Sequence, residues 1–197
     1  MHSPSYLQPY LQAVQRHGAG FKSLLWASPG SQAARFDALV ACCRFHGRVV
    51  VDAGCGRADF LDYLLASHVT PAQYIGIEAV EAFAEAARQK RHPCARILHG
   101  DFVRRRHLLD QGADVIVFCG SLNTLAPAEF YATLAAAGAL APGQLAFNFL
   151  CSHHLAAARH LTWHRIEDVV RFVTPLSRHI IVNSRYLDGD CTICLTR

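Results

Sequence analysis

The feature that most constrains this chain is a regular alternation of short β-rich segments with longer segments of helical periodicity. Four helical segments, at 58–67, 80–91, 102–109 and 127–140, separate the first five β-rich segments. Parallel strands of one sheet are joined by right-handed crossovers, so this order predicts helices on both faces of a parallel sheet. The predicted strands are 48–52, 74–78, 95–98, 113–119, 144–150, 178–185 and 191–196.

The last two β-rich segments are connected differently from the first five. Residues 186–190 join them, and the Asp188-Gly189 pair within this link is a strong signal for a tight turn. We therefore expect strands six and seven to form an antiparallel hairpin. The complete prediction is an α/β fold with a Rossmann-like, doubly wound, seven-stranded sheet, mostly parallel with an antiparallel last strand, and helices on both faces.

The length of the chain predicts a single domain. Its 197 residues suffice for one substantial hydrophobic core and are few for two. We divide this domain, 1–197, into an amino-terminal helical preamble, 1–46, and a Rossmann-like core, 47–197. In the preamble, predicted helices at 4–17 and 31–45 flank a loop. The preamble either forms a lid over the carboxyl ends of the strands or covers an edge of the sheet.

Composition and charge exclude several classes of partner. The most apolar stretch, 139–151, is interrupted by Pro142 and Gly143, and it falls short of the ~18 to 20 apolar residues of a membrane span. The first residues lack the pattern of a secretion signal. The net charge is +4, and the chain has one tight basic cluster, 104–106. It lacks the long stripe of basic residues that is typical of a nucleic-acid site. We expect a cytoplasmic protein that binds neither membranes nor nucleic acid.

The eight cysteines lie mostly within apolar segments. This pattern is unlike the disulfide framework of a small secreted domain, and it predicts reduced, buried thiols. Cys191 and Cys194 have the spacing of a metal or redox pair. In a strand, however, their side chains would face opposite sides of the sheet. We therefore predict a structural role for both and expect no metal.

The segment 49–60 carries the strongest functional signal. An apolar strand ends on Asp52 and runs through Gly54 and Gly56 into a helix. Glycines allow the backbone to approach a ligand closely, and a helix start offers free N–H groups, so this arrangement is typical of a nucleotide cradle. A dinucleotide fingerprint would require a glycine at position 59, where this chain has Asp59. An NAD site is therefore disfavoured.

Two more acidic residues follow the next two predicted strands. Glu78 ends the second strand, where a carboxylate can accept hydrogen bonds from both hydroxyls of a ribose. Asp101 follows the third strand, where it can accept a hydrogen bond from an adenine amine while Phe102 covers the ring. With Asp52, these residues predict one nucleoside-binding site at the carboxyl ends of three successive strands.

These motifs resemble those of the class I S-adenosylmethionine (SAM)-dependent methyltransferases. The likeness spans almost the whole chain and begins with Val-Asp-Ala-Gly-Cys-Gly, followed by Gly-Ile-Glu and Gly-Asp. Within the class, the chain looks similar to small bacterial proteins that share three further segments. These are Ser-Gln-x-x-Arg-Phe (31–36), a Gly-x-x-Asn loop after strand four (120–123) and Phe-Asn-Phe-Leu (147–150).

The resemblance implies SAM as the cofactor. It places Gly54 and Gly56 beside the methionine part, Glu78 at the ribose, and Asp101 with Phe102 at the adenine, while Asp52 orders the loop and the bound amino group. Arg35 either meets the carboxylate of SAM or pairs with an acidic residue on the surface. The complete set of implied cofactor-binding residues is Arg35, Asp52, Ala53, Gly54, Cys55, Gly56, Glu78, Ala79, Asp101, Phe102 and Cys119.

The expected acceptor is a small or mid-sized molecule. The chain lacks the motifs that DNA methyltransferases of this class carry after strand four, and it has no evident added recognition domain. We expect the acceptor at the ends of strands four and five, with Asn123 orienting it and His153 or His154 taking its proton. Each histidine is equally well interpreted as part of a polar helix start.

The expected reaction is direct in-line displacement at the methyl group of SAM, in which positioning supplies much of the rate enhancement. Such a displacement can proceed with or without a dedicated base. The alternative is a non-catalytic SAM-binding protein that acts as a regulatory or partner subunit. A nicotinamide-dependent oxidoreductase is a third hypothesis, which Asp59 and the terminal hairpin both oppose. The sequence does not indicate the oligomeric state.

Overall fold

A computed structural model describes residues 3–140, 143–154 and 158–197. Its centre is a seven-stranded sheet in the order β3-β2-β1-β4-β5-β7-β6. Strands β1 to β5 are mutually parallel, and β7 is antiparallel to both of its neighbours, β5 and β6. The strands are β1 (Val49–Ala53), β2 (Gln73–Glu78), β3 (Ala95–His99), β4 (Val115–Phe118), β5 (Gln144–Leu150), β6 (His179–Asn183) and β7 (Asp190–Thr196).

The predicted fold class and the antiparallel pairing of the last two strands are both confirmed. The hairpin turns at Gly189, whose φ of 73° lies in the left-handed region that glycine adopts without strain. The hairpin folds back so that β7 lies between β5 and β6. Seven residue pairs, from Gln144 with Thr196 to Leu150 with Asp190, join β5 to β7.

Six α-helices accompany the sheet in the described residues. Two belong to the preamble, and the second of these begins with a capping box in which Ser28 and Ser31 exchange side-chain and backbone hydrogen bonds. The helices are α1 (Gln8–His17), α2 (Pro29–Cys42), α3 (Asp59–Ala66), α4 (Glu81–Gln89), α5 (Pro127–Leu140) and α6 (Ile166–Val173).

One predicted helix needs correction, and one helix of the structure is missing from the prediction. The helix predicted at 102–109 is only a short 3₁₀ turn, Arg106–Leu109, because Asp101 binds the backbone N–H groups that follow it and forms a turn. Helix α6 was not predicted. Its signal is present in the sequence as Val169 and Val173, which are buried at i, i+4 spacing.

The core lies on both faces of the sheet because neighbouring strand residues point to opposite sides. Val51 and Phe147 belong to the apolar cluster on one face. Val50 and Ala146, their neighbours in the chain, belong to the cluster on the other face. Strands β1 and β4, near the middle of the sheet, are therefore buried along nearly their whole length, as expected where a sheet is covered on both sides. Within the described ranges, no helix combines the length and apolar character needed to cross a membrane.

Gly76 fixes the distance between β2 and the loop after β1. A Cβ atom at this position would lie 2.6 Å from Cys55 Sγ and 2.8 Å from Ile97 Cδ1, so only glycine fits between the two side chains. Because Gly76 has no side chain, Cys55 of the β1–α3 loop can pack directly against β2.

We predict that Gly76→Ala lowers the free energy of unfolding by about 1 to 3 kcal/mol, because the added methyl group overpacks this contact. Urea denaturation measures the change. Gly20→Ala is the matched control, since its Cβ would meet only the carbonyl oxygen of His17, at 3.7 Å. Equal stability of the two variants would contradict this account of Gly76.

Candidate cofactor site

A cavity lies at the carboxyl ends of β1, β2 and β4, beneath the preamble. Its walls come from both the core and the preamble. From the core it is lined by Asp52, Gly54, Cys55, Gly56, Asp59, Phe60, Glu78, Ala79, Phe83, Asp101, Phe102, Val103, Cys119, Gly120, Ser121, Thr124 and Leu125. From the preamble it is lined by Tyr6, Leu7, Tyr10, Leu24, Trp26, Gln32 and Phe36.

The loop between β1 and α3 presents its backbone to this cavity. Gly54 and Gly56 have φ values of 82° and 55°, in the left-handed region. A Cβ atom on Gly54 would lie 2.3 Å from the Cβ of Ser121. The hydroxyl of Ser121 donates a hydrogen bond of 2.6 Å to the carbonyl oxygen of Ala53. The loop is therefore held against the segment after β4, with no room for a side chain at Gly54.

Asp52 is buried at the end of β1 and has one unsatisfied oxygen. Its Oδ2 accepts a hydrogen bond from the hydroxyl of Tyr74, while Oδ1 has no partner. Burial raises the pKa of Asp52 to about 7; the hydrogen bond from Tyr74 opposes this shift, and the nearby carboxylate of Glu78 adds to it. A buried acceptor without a partner is costly, so this oxygen suits a cationic ligand group.

Glu78 holds the cofactor loop to the end of β2. Its Oε2 accepts a hydrogen bond of 2.8 Å from the N–H of Gly56, and its Oε1 accepts one of 2.7 Å from the N–H of Val80. Burial raises the pKa of Glu78, whereas these backbone donors lower it. Each carboxylate oxygen can accept a further hydrogen bond. Glu78 can therefore organise the loop and also accept hydrogen bonds from a ligand.

The third acidic residue, Asp101, connects the core to the preamble. Its Oδ2 accepts a hydrogen bond of 2.7 Å from the hydroxyl of Tyr6, and its Oδ1 accepts one of 2.9 Å from the N–H of Val103. Phe102 packs against Phe118 with ring centroids 5.6 Å apart. Asp52, Glu78 and Asp101 thus surround one cavity, as their positions at successive strand ends predict.

Arg35 lies outside this cavity, in a buried ion pair. Its Nε donates a hydrogen bond of 2.8 Å to Oδ2 of Asp190, and a second nitrogen of the guanidinium contacts the same oxygen. The guanidinium also lies 5.0 Å from the ring centroid of Trp26. The partner of Arg35 is thus an acidic residue of the protein, but a fully buried one, Asp190, and not the surface acid of the prediction.

Ala53 also does not line the cavity, although it lies beside it. Its side chain is fully buried, and its carbonyl oxygen receives the hydrogen bond from Ser121. It contributes through the backbone position of the loop. The other nine implied cofactor-binding residues all line the cavity.

A second cavity adjoins the first. The two share four lining residues, Tyr10, Leu24, Trp26 and Gly120. The second cavity is otherwise lined by Leu25, Ala27, Ser31, Arg35, Asn123, Leu150, His160, Leu161 and Leu187.

Of the three predicted acceptor residues, only Asn123 lies at this second cavity. Its Oδ1 accepts a hydrogen bond of 3.2 Å from the N–H of Leu150. His153 and His154 are exposed on a turn after β5, with ring centroids 3.8 Å apart, and line neither cavity. Their assignment to the acceptor stays a prediction, which the exposed position of both side chains does not favour.

Sequence reasoning missed several residues of the two cavities. Tyr6 and Tyr10 line the first from the preamble, and their i, i+4 spacing on a predicted helix was the available signal. His160 lines the second cavity from an irregular segment. No periodic pattern marked His160, because it belongs to neither a helix nor a strand.

Comparisons with known proteins agree with this geometry. Residues 50–143, from β1 to the start of β5, match the family described as a methyltransferase domain. No curated protein matches the chain.

Several solved structures share the fold. A magnesium protoporphyrin IX methyltransferase from Synechocystis PCC 6803 with bound SAH superimposes with a TM-score of 0.64 at 18% identity, over 85% of this chain and 84% of that one. A DhpI–SAM–HEP complex superimposes with a TM-score of 0.74 at 10% identity over 100% of both chains. A DhpI–SAH complex gives 0.70 at 14% identity, over 96% and 94%.

The matched segment supplies the core side of the cofactor cavity, and the fold of the chain is shared with methyltransferases solved with SAM or SAH bound. The cavity-forming segment therefore matches a methyltransferase domain, and solved structures that share the fold of this chain hold SAM or SAH.

The raised pKa of Asp52 predicts a pH-dependent stability. The native group, with a pKa of about 7, keeps a proton that the unfolded group, with a pKa of 3.8, loses. Native stability therefore falls as the pH rises from 4 to 7, by at most about 1.4 kcal/mol per pH unit from this group.

Asn cannot titrate, so Asp52→Asn should become more stable relative to the unsubstituted protein between pH 5 and pH 8. Urea denaturation without SAM at both pH values measures the difference. Asp110→Asn, at an exposed position, is the control and should show no such trend. A relative stability of Asp52→Asn that falls with rising pH would contradict the burial of a protonated carboxyl.

Proposed function

We propose that this enzyme transfers the methyl group of SAM, by direct in-line displacement, to a small or mid-sized acceptor bound in the second cavity. The observation that carries the proposal is the shared boundary of the two cavities at Trp26 and Gly120. A ligand in one cavity would meet a ligand in the other at this boundary. The preamble covers both cavities, which favours a compact acceptor over a polymer.

The residues of the first cavity fit SAM group by group. In the proposed arrangement the backbone at Gly54 and Gly56 approaches the methionine part, where no side chain fits at Gly54. The unpartnered Oδ1 of Asp52 faces the cationic amino group. Glu78 accepts hydrogen bonds from the ribose, and Asp101 binds the adenine, with Phe102 against its ring.

Three further implied cofactor-binding residues line the proposed SAM site without forming a specific polar contact to the cofactor. Cys55, Ala79 and Cys119 supply small apolar surface around the nucleoside. Burial raises the pKa of both thiols, so they remain neutral. We assign Arg35 to the acceptor side, where it positions Trp26, and not to the carboxylate of SAM.

Bound SAM supplies an electrophilic methyl group on a sulfonium centre. The chain's own residues then position the acceptor atom in line with it, which provides much of the rate enhancement. Asn123 is suited to this task, because its Oδ1 is occupied by the N–H of Leu150, which leaves its amide N–H groups to donate. His160 is the histidine of the second cavity, and we propose it, in place of His153 and His154, as the group that takes a proton from the acceptor.

Structural neighbours support a small-molecule acceptor. One is a magnesium protoporphyrin IX methyltransferase, and another was solved as a complex with SAM and HEP. Both share the fold of this chain. The second cavity is lined mainly by apolar residues around the ion pair of Arg35 and the amide of Asn123, which favours an acceptor with an apolar body and few polar groups.

Loss of the Glu78 carboxylate should weaken cofactor binding. We expect the unsubstituted protein to bind S-adenosylhomocysteine (SAH) with micromolar affinity, near −8 kcal/mol. Glu78→Ala should cost about 1.5 to 3 kcal/mol, because it removes charge-assisted hydrogen bonds to the ribose and releases the N–H of Gly56. Isothermal titration with SAH measures this loss.

Glu81→Ala is the matched control for Glu78→Ala, since that carboxylate is 59% exposed on α4; it should leave SAH binding unchanged. NAD should not compete with SAH in the same titration. Normal SAH binding by Glu78→Ala, or NAD binding tighter than SAH, would contradict the assignment of the first cavity as a SAM site with Glu78 at the ribose.

The role of His160 is tested by turnover. Purified protein is incubated with SAM and a panel of small hydroxyl-, amine- and thiol-bearing acceptors, and formation of SAH is measured. With a methylated acceptor, His160→Ala should lower kcat by roughly 100-fold or more, the usual contribution of proton transfer. Its affinity for SAH should remain unchanged.

The double variant His153→Ala/His154→Ala is the control and should retain full turnover. Loss of activity in the double variant, with full activity in His160→Ala, would show that His153 or His154, and not His160, takes the proton. Tight SAH binding without turnover of any acceptor would instead favour the alternative of a non-catalytic SAM-binding subunit.

A further inference from the structure

Three thiol groups meet at the edge of the sheet opposite the cofactor cavity. Cys42 and Cys43 lie at the end of α2, and Cys194 lies in β7. Cys194 pairs with Ala146, near the amino end of β5. The three sulfur atoms all lie within 4.8 Å of one another. The fold thus brings together thiols that are about 150 positions apart in the chain.

The position of each thiol follows from its secondary structure. Cys191 and Cys194 belong to the apolar clusters on opposite faces of the sheet, as alternation along a strand predicts. Cys194 therefore points away from Cys191 and toward α2. There its sulfur atom lies 2.8 Å from that of Cys43, while Cys42 completes the group from the preceding position.

The spacing of the three sulfur atoms suits a shared metal ion. With metal–sulfur bonds of ~2.3 Å, sulfur ligands lie about 3.8 to 4.0 Å apart. The spacings here, 2.8 Å for the closest pair and at most 4.8 Å for any pair, bracket that value. Small side-chain rotations would therefore bring the three sulfur atoms around one ion.

The surroundings of the cluster offer both access and charge compensation. Cys43 and Cys194 are buried, whereas Cys42 is partly exposed. Cys42 and Cys43 line a groove that also carries Arg44, Arg48, Arg197 and Asp114, with Arg48 3.9 Å from Asp114. Three arginines against one aspartate leave these side chains with a net positive charge. An ion can therefore reach the cluster through Cys42, and the nearby arginines offset the negative charge of the ligands.

The donor set determines which ion fits. Three sulfur ligands without oxygen or nitrogen select soft ions. A structural zinc site takes four protein ligands, and over residues 3–140, 143–154 and 158–197 no fourth histidine, cysteine or carboxylate joins this group. A three-sulfur set instead suits a soft monovalent ion that accepts three-coordination.

We propose that Cys42, Cys43 and Cys194 form a binding site for one soft d¹⁰ metal ion, with Cu(I) as the ion that fits the three-sulfur set. The site is separate from the SAM and acceptor cavities. By joining the end of α2 to β7, a bound ion would attach the preamble to the sheet at a further place, in addition to the Arg35–Asp190 pair and the Tyr6–Asp101 hydrogen bond.

The proposal is tested with Cu(I) itself. Fully reduced protein is titrated anaerobically with Cu(I) in competition with a chromophoric Cu(I) chelator. We expect one tightly bound Cu(I) per chain, an X-ray absorption spectrum with sulfur as the only near ligand, and a higher midpoint temperature of unfolding. Cys42→Ser should weaken Cu(I) binding at least 10-fold, and Cys43→Ser and Cys194→Ser should do so as strongly or more.

Cys94→Ser is the matched control, because Cys94 is partly exposed like Cys42 but belongs to a different part of the molecule; it should bind Cu(I) normally. SAH titration checks that each variant is folded. Cys42 is partly exposed, so Cys42→Ser tests the proposal even if Cys43→Ser or Cys194→Ser fails to fold. Three results would overturn the proposal: Cu(I) affinity unchanged in Cys42→Ser, one tightly bound Zn(II) with no Cu(I) uptake, or a Cys43–Cys194 disulfide in protein that takes up no Cu(I).

Discussion

The buried ion pair between Arg35 and Asp190 joins the two parts of the molecule on which both cavities depend. Asp190 begins β7 and is fully buried, and burial raises its pKa while the guanidinium of Arg35 lowers it. The hydroxyl of Tyr186 also contacts this carboxylate. A buried carboxylate requires such partners, because removal of one would leave a charge without compensation. Helix α2 is thereby fixed against the sheet at one definite position.

The placement of α2 determines how the preamble covers the sheet. Arg35 lies over the ring of Trp26, and Trp26 lines both cavities. Phe36, the next residue along α2, packs against Phe60 of α3 with ring centroids 5.1 Å apart. At the other end of the preamble, Tyr6 donates its hydrogen bond to Asp101. The preamble is thus attached by polar contacts at two separate points, and the cavities lie between them.

The cofactor cavity places two acidic groups in a buried environment, and this has an electrostatic consequence. Burial raises the pKa values of both Asp52 and Glu78. A cationic ligand would favour the ionised form of each carboxylate, so cofactor binding and proton release are coupled. The unpartnered oxygen of Asp52 lowers the stability of the folded protein. Such a cost is common where a site is organised for a ligand and not for maximum stability.

The sequence by itself determined the sheet, the hairpin and the three acidic strand ends. These features follow from local patterns: apolar runs of strand length, a glycine loop before a helix, and an Asp-Gly turn. Helix α6 was also encoded locally, in Val169 and Val173, although sequence analysis overlooked it.

Only the tertiary structure decided the partner of Arg35, the insertion of β7 between β5 and β6, and the meeting of Cys194 with Cys42 and Cys43. It also placed His160, and not His153 or His154, at the second cavity. Each of these depends on contacts between distant segments or on the path of an irregular one. Such contacts depend on the packing of the whole chain. The periodic patterns of 2 and 3.6 residues that predict strands and helices carry no information about them.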